Sequence, residues 1–67
     1  SFTGSGNWSN PANWAGGIVP PSTLPAGYTV VINGNCILDM AVSAQPGSSI
    51  TVAAGKSLII IGSLTIQ

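Results

Sequence analysis

From residue 28 onward the chain alternates glycine with short apolar clusters. Gly27 precedes Val30, Val31 and Ile32, and Gly34 precedes Ile37 and Leu38. Gly47 precedes Ile50 and Val52, Gly55 precedes residues 58–61, and Gly62 precedes Leu64 and Ile66. Glycine turns a chain at low steric cost, and β-branched residues then favour a pleated, half-buried strand. Strands are predicted near 28–33, 36–39, 42–44, 49–53, 57–61 and 63–67. No segment carries the three-to-four spacing of an amphipathic helix, so no α-helix longer than one turn is expected.

A repeated strand unit predicts stacking rather than folding around one centre. Taking three units per coil, with the Ala41 region as a unit without its glycine, Val30 falls on Ile50 and Ile32 on Val52, both 20 residues apart. Ile37 falls on Leu58 at 21 residues, while Val42 meets Leu64 and Ala44 meets Ile66 at 22. Thr29 and Thr51 then point outward. A coil of two units remains open, although residues 41–46 lack a leading glycine and make it uneven. The predicted fold is all-β: a right-handed parallel β-solenoid (β-helix) fragment of about two coils, residues 27–67, behind an extended cap, residues 1–26.

The middle strands depart from alternation. Ile37-Leu38 and residues 58–61 are apolar on both faces, which predicts cover on both faces. The tryptophan-bearing N-terminal segment is the internal candidate for that cover, and another chain the external one. Pro20, Pro21 and Pro25 forbid a helix in residues 19–25 and are expected to block the first edge of the stack. At the other end Leu64, Thr65 and Ile66 form an edge guarded by neither charge nor proline. Such an edge recruits strands. It is expected to be covered by downstream repeats of the same chain or by other copies or subunits.

The charge inventory narrows the chemistry. One acidic residue (Asp39), one basic residue (Lys56) and no histidine stand in 67 positions. A general acid–base pair needs two titratable groups together. A Ser–His–Asp arrangement needs histidine, and a zinc site needs about four ligands. Duplex nucleic acid is held through several Lys/Arg contacts to phosphate. The expectation is therefore no enzyme, no cofactor, no metal and no nucleic acid. No apolar run approaches the ~18–20 residues of a membrane helix, so no membrane insertion is expected. Ser1 is neither an initiating methionine nor part of a signal peptide, and reads as the start of a mature or excised piece. Cys36 has no disulfide partner and reads as a small core residue. Asp39 and Lys56 read as solvated charges, with pairing between coils as the alternative.

The string from Asn7 to Pro20 is the most specific in the chain. Its Trp8, Pro11, Asn13, Trp14, Gly16, Gly17, Val19 and Pro20 resemble the "W-x-x-P-x-N-W-x-G-G-x-V-P" segment that opens β-solenoids of large secreted or surface-anchored bacterial proteins. Residues 25–32, 37–39 and 62–64 are similar, more loosely, to the eight-glycine extracellular domain. The resemblance implies a bacterial extracellular or cell-surface location and a structural role as part of an adhesin, stalk or filament. The alternative is a carbohydrate-binding module, with extracellular polysaccharide as partner. Trp8 and Trp14 would then stack on sugar rings while Asn7, Asn10 and Asn13 bond to hydroxyls. Set against that, two large apolar rings and turn-forming asparagines also suit a lid over the first coil, and burial of both indoles is the prediction. The Asn7-Trp8-Ser9 sequon reads as coincidental.

Overall fold

The computed structural model describes residues 1–67. Eight strands carry the fold: β1 Gly6–Asn7, β2 Thr23–Leu24, β3 Thr29–Ile32, β4 Asn35–Leu38, β5 Ala41–Ala44, β6 Ser49–Val52, β7 Ser57–Ile60 and β8 Ser63–Ile66. Helical structure is confined to two 3-10 turns, Pro11–Asn13 and Ala15–Gly17. The strands form three sheets in the orders β1-β4-β7, β2-β5-β8 and β3-β6, and every strand pair is parallel. The chain visits the three sheets in turn through β3, β4 and β5, then repeats the circuit through β6, β7 and β8. A coil of two units is thereby excluded.

Register follows the apolar rows. Val30 stands over Ile50 and Ile32 over Val52. Val42 stands over Leu64 and Ala44 over Ile66. In the middle sheet the expected pairing slips by one: Ile37 stands over Ile59, and Cys36 over Leu58. A one-residue slip exchanges the two faces of a strand. Cys36 and Leu38 therefore point inward and are fully buried, while Ile37 points outward and is half-buried. Because residues 58–61 are all apolar, hydrophobicity alone left this register undecided. The corner before β7, residues 53–56, is two residues longer than the corner before β4, residues 33–34, which carries the offset from 20 to 22 instead of the expected 21.

The N-terminal zone is more than a cap. Phe2 bridges Ile32 in parallel, β1 extends the middle sheet and β2 extends the third. Residues 1–26 thus make a partial circuit above β3–β5. They do not cover the outer face of the middle sheet as expected; Ile59 and Ile61 stay exposed there. The tryptophans instead enter the interior with Phe2, Leu24, Val30, Ile32, Cys36, Leu38, Val42 and Ala44.

Two glycines show different uses of the same residue. Gly47 has φ +89°, the left-handed turn that a Cβ disfavours. Gly62 has an ordinary φ but lies under the peptide of Met40, where a Cβ would collide with the Met40 carbonyl.

Candidate functional site

The two ends of the stack differ, and the difference starts with Trp8 and Trp14. Asn10 caps the first 3-10 turn, its Oδ1 accepting from the Ala12 amide at 3.1 Å, and Pro11 supplies a first-turn residue that needs no donor. The turn returns the chain over the interior. Trp14 then packs edge-to-face on Trp8 (5.0 Å between centroids) and on Phe2 (5.3 Å). The Trp14 indole N–H donates to the Trp8 carbonyl at 2.7 Å, and Asn13 Nδ2 donates to the Asn7 carbonyl at 3.0 Å. Trp8 is fully buried and Trp14 nearly so. The Trp8 indole N–H has no acceptor on the protein.

The upper strand edges are largely taken up, each in its own way. Phe2 is flanked above by an antiparallel bridge to Trp14, with Thr3 N–H bonded to the Asn13 carbonyl and Ala15 N–H to the Ser1 carbonyl. β1 lies beneath the Asn13 side chain. In β2 the Ser22 and Leu24 carbonyls accept from Ser43 and Gln45 below. Alternation turns residues 21, 23 and 25 upward. Two of those three are Pro21 and Pro25, which have no N–H to offer. Two of the three upward donors of this stretch are thus missing, Thr23 keeps the third, and the same stretch builds a strand on its lower side.

The lower end is open. The inward residues of β3, β4 and β5 are buried, yet those directly below are not: Ile50, Leu58 and Leu64 are half-buried, and Val52, Ile60 and Ile66 are exposed at 40, 47 and 70%. All but Ile60 line a concavity of about 480 Å³, with Ala44, Gln45 and Pro46 also in its wall. The ladder shows which backbone groups are free. Ser49 and Ala53 donate upward to Tyr28 and Ile32, Ile61 to Leu38, and Ser63 and Gln67 to Met40 and Ala44. By alternation Ile50, Val52, Leu58, Ile60, Leu64 and Ile66 direct their N–H groups downward. Five of these six, all but Ile60, also line the concavity. Of the expected edge residues, Leu64 and Ile66 fit this description. Thr65 does not: its N–H belongs to the upward set, inside the ladder to β5.

The remaining candidates separate. Asp39 and Lys56 are not paired. Asp39 follows β4 and Lys56 precedes β7, so the register sends them to opposite ends of the middle sheet. Asp39 instead accepts from the hydroxyl and the amide of Ser9 at 2.6 and 3.1 Å, and the hydroxyl bond holds its carboxyl below the usual range. Burial, aided by the Asp39 charge, pushes the Cys36 thiol up to about 11. A thiol so raised stays protonated and unreactive at neutral pH. The sugar-stacking arrangement finds no support in geometry, because neither indole offers an exposed face and Asn13 is spent on the Asn7 carbonyl. Asn10 is exposed, but its side-chain oxygen holds the turn. No three His, Cys, Asp or Glu side chains gather in a metal-binding group, and no helix is long and apolar enough to cross a membrane. Phe2 and Leu24 are the buried residues that sequence reasoning missed. Neither follows a glycine in the repeat pattern, and Leu24 sits among prolines.

Comparison with protein-family models, with curated proteins and with solved structures returns no match.

Proposed function

We propose that this chain is the capped end of a right-handed parallel β-solenoid. In this reading it is a structural segment of a secreted or cell-surface bacterial protein such as an adhesin, stalk or filament. Its work is to close the stack at one end and to present a template for further strands at the other. The observation that carries the reading is the asymmetry of the ends: buried aromatics and largely occupied edges above, exposed aliphatics and free N–H groups below. Right-handed connection is the rule for parallel strands joined by crossovers. The extracellular assignment rests on the resemblance of the Trp8–Pro20 string. A scaffold role also suits a chain whose titratable side chains are scattered and few.

The test is to append a second copy of residues 47–67 after Gln67. An added circuit in register should raise the melting temperature and slow hydrogen exchange at Ile50, Leu58 and Leu64. An appended segment that stays unstructured, with no gain in melting temperature, overturns the reading.

A further inference from the structure

Asn33 and Gly34 form the corner between β3 and β4. Phe2 lies above this corner, where its carbonyl accepts from the Asn33 N–H at 2.7 Å. Ala53 lies below, its N–H donating to the Ile32 carbonyl at 2.9 Å. Asn33 is exposed at the side of the stack, with chain above and below it, so its exposure does not depend on where either end falls.

An asparagine side chain can be attacked by the amide nitrogen of the next residue when that nitrogen carries a free N–H and no side chain crowds it. Five asparagines stand in the chain, at 7, 10, 13, 33 and 35. Asn10 precedes Pro11, which has no N–H. Asn7 and Asn13 precede Trp8 and Trp14, whose N–H groups are held by the Ile37 and Pro11 carbonyls at 2.7 and 3.1 Å. Asn35 lies in the β4–β7 ladder and precedes the fully buried Cys36. Gly34 alone among the five followers has no side chain, and its N–H makes no backbone hydrogen bond. We propose that Asn33–Gly34 is a self-modifying site, which loses ammonia, takes up water and becomes isoaspartate, loosening the closed end of the stack.

In the first step the Gly34 nitrogen gives up its proton and attacks Asn33 Cγ. A bond forms between that nitrogen and Cγ, the Cγ–Nδ2 bond breaks, and Nδ2 leaves with the proton as ammonia. Water then opens the five-membered imide. Attack at Cγ gives aspartate, and attack at the main-chain carbonyl gives isoaspartate, whose backbone runs through Cβ and Cγ. Nothing is oxidised or reduced. The isoaspartate backbone is one carbon longer at a corner with no room above it. Gly34 lies so close beneath Gly4 that even a Cβ on Gly34 would collide with the Gly4 carbonyl. Thr3 and Gly4 in turn donate to the Asn13 carbonyl at 2.8 and 3.1 Å, so a displaced Gly34 disturbs the segment that holds the tryptophan lid.

The test is to age the chain in mildly alkaline buffer, natively and in urea, and to locate each changed asparagine by fragmentation mass spectrometry. In the native chain Asn33 should change at least tenfold faster than the other asparagines, and within tenfold of its own rate in urea. The products should be aspartate and isoaspartate, and the isoaspartate form should exchange the Thr3 and Gly4 amide hydrogens faster than fresh chain. Asn33→Gln would need a six-membered imide, so it should stay unmodified and keep its exchange pattern over the same period. Protection of Asn33 by the fold beyond tenfold, or equal change at another asparagine, overturns the proposal. So does modification that begins only after the circular dichroism of the fold is lost. An isoaspartate form with unchanged exchange at Thr3 and Gly4, or an aged Asn33→Gln chain that loosens equally, overturns it as well.

Discussion

Asp39 and Ser9 are locked together across 30 residues of sequence. One carboxylate takes both the hydroxyl and the amide of the serine, at 2.6 and 3.1 Å. Ser9 directly follows Trp8, so this pair pins the start of the lid to the corner after β4.

The Asp39 carboxyl is lowered in the folded state, chiefly by the Ser9 hydroxyl. Folding therefore gains from ionised Asp39 above the ordinary carboxylate pKa of about 3.9, and the gain disappears as pH falls through the lower folded value. The carboxyl resonance of Asp39, followed by NMR, should titrate below that of a model peptide. Asp39→Asn should flatten the acid limb of the stability–pH curve. A titration at or above the model value would remove the lock.

Trp8 and Trp14 should differ under mild substitution. Trp8→Ala in the interior should cost about 3–5 kcal/mol. Trp14→Phe keeps a ring but strands the Trp8 carbonyl, a loss of about 1–3 kcal/mol for a buried group left unpaired. Trp8→Phe removes an N–H that already lacks an acceptor, so it should cost less than Trp14→Phe. Urea denaturation ranks the two, and the reverse order would contradict the bonding described.

The two kinds of glycine separate in the same assay. Gly47→Ala demands a left-handed turn from alanine and should cost about 1–2 kcal/mol. Gly62→Ala drives a methyl into the Met40 peptide, whose carbon and nitrogen would lie at 2.7 and 2.8 Å, and backbone cannot rotate away. It should be the more damaging substitution, with the unfolding midpoint as the measure.

Cys36 sets the alkaline limit. Its thiol is raised to about 11 in the fold by burial first and by Asp39 second. The unfolded thiol loses its proton near the ordinary pKa of about 8.5. Above that pH the unfolded state binds fewer protons, so stability falls as pH rises toward the folded value. Cys36→Ala should remove this slope while costing packing at neutral pH. A thiol reagent at pH 8 should label the native chain far more slowly than the denatured one.

The legible part of the fold was the part where the two strand faces differ chemically. Ile50 and Val52 alternate with Ser49 and Thr51, and Val42 and Ala44 with Ala41 and Ser43, so the register of these strands could be read directly. Residues 58–61 carry no such contrast, so the one-residue slip at Ile37 was invisible. The polar edge donors were readable only to the residue, not to the direction of the N–H, which is why Thr65 was grouped with Leu64 and Ile66. Phe2 escaped notice because a single bridge residue has no periodicity. Burial of Trp8 and Trp14 was legible from their size and from the turn chemistry of Asn10 and Pro11.

The lid is an overgrown corner. Between the middle and third sheets the later circuits spend residues 39–40 and 61–62, whereas the first pass spends residues 8–22 at the same place. The inner rows below are undisturbed by that excess. Most of the closing material thus sits in one insertion, the segment from Trp8 to Ser22, which closes the end with Phe2 and Pro25 beside it. Length at one corner, together with the short strands and prolines of the first pass, closes this end of the stack.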